Sequence, residues 1–300
     1  MKLQRRQFLK AAGLIPLGGT LTGLLGRSAF AAEPVKSPSF IQRPPQMKLG
    51  LVTYNIAKDW DVATVIKNCT EAKFQGVELR TTHKHGVEVA MNKSQRAEVK
   101  KRFADSPVEL MGLGSAFDYH TPDPAKLRAD IAATKEYIVL AQDVGATGIK
   151  VRPNALPPEV PKEKTLEQIG RSLREVGEFA AGHGVQIRLE VHGKETSLLP
   201  NIKTIMDVAD QKQVGVCWNS NQTDLEGQGF DYNFNLVKAK IFTVHMRDLY
   251  LDEYPFRKLL AGLNQSGFTG YCLAEISESP DPVRVLKYFR SLWLAYQDLL

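Results

Sequence analysis

Cysteine is scarce in this 300-residue chain, which has only Cys69, Cys217 and Cys272. Three thiols cannot form the paired framework that staples small secreted domains, so a disulfide scaffold is excluded. Long apolar runs are missing as well. The most apolar stretch, residues 11–26, is short and glycine-rich, below the roughly 20 residues a membrane-spanning helix needs. No glycine-rich phosphate cradle occurs. Clustered positive charge is absent from the body of the chain. The formal charge of +6 and the pI near 9.1 come from the N-terminus, where Lys2, Arg5, Arg6, Lys10 and Arg27 precede residue 32 with no acid among them. Beyond that point 34 basic residues face 33 acidic ones, a net charge of +1. A sequence-independent grip on phosphates needs more than this, so no nucleic-acid partner is expected.

The same N-terminal segment reads as an address. Gln4-Arg5-Arg6-Gln7-Phe8-Leu9-Lys10 has the twin-arginine pattern, and Ala29-Phe30-Ala31 supplies small residues before a cleavage point. Residues 1–31 are therefore expected to be a twin-arginine signal peptide, with a weak N-terminal anchor as the alternative. The mature protein would be periplasmic or otherwise exported, and the export machinery would be a partner. That route carries proteins already folded, often with a cofactor in place. Residues 32–46 are proline-rich and aperiodic, as in a linker. Residues 47–300, 254 in all, match one (β/α)₈ barrel and leave no room for a second domain.

Strand patterns are expected over residues 48–54, 76–80, 108–115, 148–153, 185–192, 214–219, 241–247 and 271–276. Amphipathic stretches at 62–74, 93–103, 124–144, 166–181, 200–209, 256–263 and 281–300 alternate with them. Gly145, Gly182 and Gly184 fall where helices need C-caps. A doubly wound open sheet would use the same units. Eight units with polar residues at so many strand ends favour closure into a single TIM barrel.

Four late strands each deliver a ligand-type residue to one rim: Glu190 in Leu189-Glu190-Val191-His192, Asn219 in Cys217-Trp218-Asn219, His245 in Val244-His245, and Glu275 in Ala274-Glu275-Ile276. Chemistry in such barrels sits at the C-terminal strand ends. Two carboxylates, an imidazole and an amide suit a hard or borderline divalent cation such as Mn²⁺, Co²⁺, Zn²⁺ or Mg²⁺. Alternation along the strands turns Arg188 and His192 to the same side as Glu190, and Cys217 inward but Cys272 outward, which opposes a bridge between the two cysteines. Arg188 inside a barrel needs a partner, and Glu78 is the expected one. Lys150, Arg152, His192 and Arg247 line the rim as substrate contacts. The loop after the second strand adds His83 and His85, and His120 is a weaker candidate.

These segments resemble the xylose-isomerase-like TIM barrels, which include sugar isomerases and ketose 3-epimerases. The family carries glutamate, aspartate, histidine and glutamate on strands 5 to 8. Glu190, His245 and Glu275 match three of these in order and spacing. The aspartate position holds Asn219, and the position three residues on, often histidine in ketose epimerases, holds Gln222. The resemblance implies a metal-dependent isomerase or epimerase acting on a non-phosphorylated sugar. A metal would polarise a ketone and stabilise an enediolate, with Glu190 and Glu275 as the catalytic carboxylates on either side. Two alternatives stay open: a lyase that removes the C2 proton of a 3-keto-glycoside and expels the C1 substituent, and a sugar-binding barrel without catalysis. The partner is a small sugar or glycoside in all three, and an oligomer is compatible with each.

Overall fold

The computed structural model describes residues 41–300. The expected signal peptide and most of the linker lie outside the described residues. Residues 41–46, the end of that linker, carry no regular structure.

Eight parallel strands close into a barrel in sequence order, with the last paired to the first. They are β1 (Lys48–Val52), β2 (Gly76–Arg80), β3 (Glu109–Asp118), β4 (Gly148–Arg152), β5 (Gln186–Glu190), β6 (Val214–Asn219), β7 (Ile241–Met246) and β8 (Tyr271–Ala274). Eight α-helices follow the strands in turn: α1 (Val62–Ala72), α2 (Lys93–Ala104), α3 (Pro124–Val144), α4 (Lys162–Ala181), α5 (Leu199–Ala209), α6 (Phe230–Val237), α7 (Phe256–Gln265) and α8 (Pro282–Ala295). The single (β/α)₈ barrel expected from the sequence is the fold observed. No helix of the described residues is long and apolar enough to cross a membrane.

Local chemistry sets the helix ends. Asp61 caps α1 through the Thr64 N–H, Asn92 and Gln95 form a reciprocal capping box on α2, and Asp123 precedes Pro124 at the start of α3. Gly145 ends α3 in the left-handed region at φ 81°. Outward-facing strand residues such as Leu79, Ile149, Leu189, Trp218 and Val244 are fully buried against the helices. All three cysteines are free and buried. Cys272 meets Met47 outside the barrel wall while Cys217 lies beside His245, which rules out a bridge, as the alternation argued.

The inside of the barrel has two levels. The barrel interior holds a small apolar group of Val52, Met111, Tyr271 and Leu273, and in the lower level Arg188 lies against Met111. Glycines make room for this cation. A Cβ on Gly148 would lie 2.5 Å from the Arg188 guanidinium carbon, and one on Gly112 would lie 2.8 Å from its Nη1. The upper level opens to the βα loops. Four of the non-glycine residues with left-handed backbone fall in these loops: Asn55, Thr82, Asn154 and Glu195.

Two expectations need correction. Helix α6 is absent from the sequence reading, and strand pairing ends earlier than expected on β5, β7 and β8. His192, Arg247 and Glu275 thus sit just past the last paired residues, where strict alternation no longer fixes their direction.

Candidate metal centre

The centre grows from β7. His245 is fully buried, and neither ring nitrogen has a hydrogen-bond partner. Its Nδ1 lies 3.5 Å from Glu190 Oε1 and 3.5 Å from Glu275 Oε2. Its Nε2 faces Glu78 Oε1 at 3.4 Å. Ligand atoms of Glu190, His245 and Glu275 all fall within 4.8 Å of one another. Asn219 is paired in register with His245 on the adjoining strand, so its side chain rises on the same face.

Lys150 closes the group from β4. Its ammonium donates to Glu190 Oε2 at 2.8 Å, with both side chains buried. Burial would raise the Glu190 pKa, but Lys150 and His245 outweigh it and hold this carboxyl well below the usual range. Burial likewise works against a charged imidazole. The surrounding Cys217, Glu78 and Glu275 nonetheless carry His245 well above its ordinary value. A buried imidazole with two unused nitrogens among carboxylates fits a divalent cation, since one imidazole and two carboxylates are borderline-to-hard donors. Such an ion would take the place of the Nδ1 proton.

The expected salt bridge between Arg188 and Glu78 does not form. Arg188 donates instead to neutral acceptors: Nη1 to the Met111 carbonyl at 2.8 Å, Nη2 to Thr147 Oγ1 and Gln186 Oε1 at 3.0 Å each, and Nε to Gln186 Oε1 at 3.3 Å. Every guanidinium nitrogen is thereby engaged, and the Glu78 carboxylate turns up to His245.

A family model for the xylose isomerase-like TIM barrel matches residues 66–292. The chain belongs to that family. Comparison with curated proteins finds no match. Among solved structures, 3-keto-D-glucoside 4-epimerase, YcjR, from E. coli is 18% identical, with a TM-score of 0.68 over 83% of this chain and 99% of that one. L-ribulose 3-epimerase is 15% identical, with a TM-score of 0.71 over 84% and 95%. IolI protein with a zinc atom bound is 16% identical, with a TM-score of 0.70 over 85% and 99%. At such identities the likeness is one of fold.

The other rim residues of this xylose isomerase-like barrel divide into open and committed groups. His192 is half-buried next to the centre, and its buried Nδ1 has no partner. Arg152 donates to the Ala116 carbonyl at 3.3 Å and keeps a buried, unpartnered Nε. Arg247 is tied by Nε to the Ser220 carbonyl at 2.8 Å and lies over the Tyr254 ring. His83 Nδ1 meets Thr53 Oγ1 at 3.0 Å. His85 differs from the substrate contact expected of it. It is buried, its Nδ1 accepts from the Val87 N–H at 3.0 Å, and its Nε2 therefore donates to the Arg80 carbonyl at 2.7 Å. Both nitrogens thus shape the β2 loop. His120 pairs with Asp118 at 2.9 Å.

Sequence reading missed a buried chain beneath the β6 and β7 loops. Trp218 Nε1 donates to Tyr254, whose hydroxyl donates in turn to Asp224 Oδ2 at 2.6 Å. Burial pushes the Asp224 carboxyl up to about 8. Its signal was faint: one acid in a polar loop, with its partner 30 residues away.

Proposed function

We propose that this protein is a metal-dependent isomerase or epimerase of a non-phosphorylated keto sugar. The observation that carries the reading is the convergence of Glu190, His245 and Glu275 donor atoms within 4.8 Å at the mouth of the barrel. Asn219 supplies a fourth, neutral donor in this reading. A bound divalent cation would supply Lewis acidity toward a ketone oxygen and its neighbouring hydroxyl. The chain's own residues do the rest. Glu275, whose side chain is 17% exposed against 4% for Glu190, is open to the mouth and exchanges a proton with the carbon beside the ketone. Glu190, restrained by Lys150, works from the opposite side of the substrate. His192, Arg152, Arg247 and His83 surround that position and hold sugar hydroxyls. The absence of a phosphate cradle supports a neutral sugar, as do the names of the neighbouring epimerases, which specify a 3-keto-glucoside and a free ketose.

Protein beginning at residue 32 is expected to hold close to one divalent ion per chain. Metal analysis after mild purification is the test. Lack of metal, together with a melting temperature unmoved by Mn²⁺, Co²⁺, Zn²⁺ or Mg²⁺, would overturn the metal centre. Product analysis then fixes the reaction. An epimerase conserves the formula of a 3-keto-glycoside, whereas release of the aglycone would assign the lyase.

We also propose that residues 1–31 direct export by the twin-arginine route, with residues 32–46 as a linker to the barrel. Arg5→Lys combined with Arg6→Lys is expected to leave the precursor in the cytoplasm. Normal export of this double variant would point to the general secretory route.

A further inference from the structure

Glu78 has no place in the chemistry above, yet it is among the most confined polar side chains of the barrel. It is fully buried in the middle of β2, and neither carboxylate oxygen has a hydrogen-bond partner. The adjoining strand is cleared for it. A Cβ on Gly114 would stand 2.9 Å from Glu78 Oε1, and one on Gly112 would stand 3.5 Å from Oε2. The two nearby cations are committed elsewhere, Arg188 to Met111, Thr147 and Gln186, and Lys150 to Glu190. His245 Nε2, at 3.4 Å, is the nitrogen set against it. That distance is a few tenths of an ångström beyond the usual N–H···O range.

We infer that Glu78 is the positioning residue of the metal centre: it accepts the Nε2–H of His245 and so fixes the tautomer that leaves Nδ1 bare toward Glu190 and Glu275. An imidazole can ligate through either nitrogen, and the hydrogen bond made by the other decides which. Nδ1 lies between the two candidate carboxylate ligands, whereas Nε2 points away from them to β2. A carboxylate acceptor also makes the imidazole a stronger donor to a cation. The inference rests on the metal-centre reading proposed above.

The test uses Zn²⁺ as probe on the protein from residue 32, with Glu78→Gln and Glu78→Leu. Zinc affinity is measured by chelator competition, and the His245 tautomer by ¹⁵N-edited NMR of the metal-free protein at alkaline pH, where the imidazole, held above its ordinary value, has given up its second proton. Glu78→Gln keeps an acceptor oxygen and is expected to retain most of the affinity. Glu78→Leu is expected to lose about 10–100-fold and to shift the ring proton away from Nε2. Thermal melts of the metal-free variants separate this from loss of fold. Should Glu78→Leu misfold, Glu78→Gln still decides the matter: a neutral acceptor holds the His245 Nε2–H less strongly than a carboxylate, so that resonance is expected to shift, and an Nε2 signal identical to that of the wild type would overturn the role of Glu78. Wild-type affinity and an unchanged tautomer in Glu78→Leu would overturn the role of Glu78 while leaving the metal centre standing. Failure of the wild-type protein to bind Zn²⁺ would remove both.

Discussion

Arg188 and His245 both place a polar head inside the same barrel, one level apart, and the two environments are opposites. Around Arg188 every nitrogen finds an acceptor, and the acceptors are neutral: a carbonyl, a hydroxyl and an amide. Around His245 charge is plentiful but hydrogen bonds are not. Both of its ring nitrogens, both oxygens of Glu78 and Thr243 Oγ1 are buried without a partner. A buried charge that only holds a fold together is normally saturated, since each missing bond costs about 1–3 kcal/mol. The lower level follows that rule. The upper level departs from it at Glu78 and His245, and such a departure marks a site arranged for something other than stability.

The largest expected effect that would sharpen this contrast is on turnover. Glu275→Gln keeps shape but removes the base, and a loss of about 10²–10⁴-fold in kcat is expected, with the metal-free melting temperature nearly unchanged. A comparable fall in stability would mean that Glu275 belongs to the structural level. Next comes Arg188→Met, which strips Gln186 Oε1 and Thr147 Oγ1 of their donor and leaves the Met111 carbonyl with the Thr147 hydroxyl alone. A loss on the order of 2–4 kcal/mol in urea unfolding is expected, with metal affinity of the folded protein intact. The contrast breaks if Arg188→Met abolishes metal binding without destabilising the chain. The smallest effect is at Asn219. Asn219→Asp adds a charge beside the cation and should tighten metal binding by about 1–2 kcal/mol, while Asn219→Ala should weaken it. If neither substitution moves the dissociation constant, the amide is not a ligand and three residues hold the ion.

Much of the lower-resolution picture was open to sequence reading because it depends on local rules. Apolar strand runs and the left-handed Gly145 that ends α3 act within a few residues. The ligand-type residues at the ends of four strands were visible for the same reason. Partner choice was not. Alternation told that Arg188 faces inward and needs a partner, for which Glu78 was the expected one, but Gln186 and Thr147, both within reach of the guanidinium, decided that Arg188 would not take the carboxylate. His85 looked like a rim group until its own loop backbone was seen to use both nitrogens. Helix α6 is eight residues with two asparagines and three aromatics, Phe230-Asp-Tyr-Asn-Phe-Asn-Leu-Val, a composition of weak helix propensity. Packing of Phe230 and Phe234 on Trp218 holds it, and such tertiary support has no local signature.

The bare glycines of β3 and β4 have a consequence for how the molecule tolerates change. Gly112 and Gly148 contribute no side chain to any chemistry, yet each occupies the one place where the Arg188 head must pass. In a random mutagenesis library scored by survival of soluble protein, these two positions should be as barren as any in the barrel. Scored by activity among the survivors, they would vanish from the map altogether. A search for function guided only by intolerance to substitution would therefore be drawn to the floor of the barrel, one storey beneath the candidate metal centre.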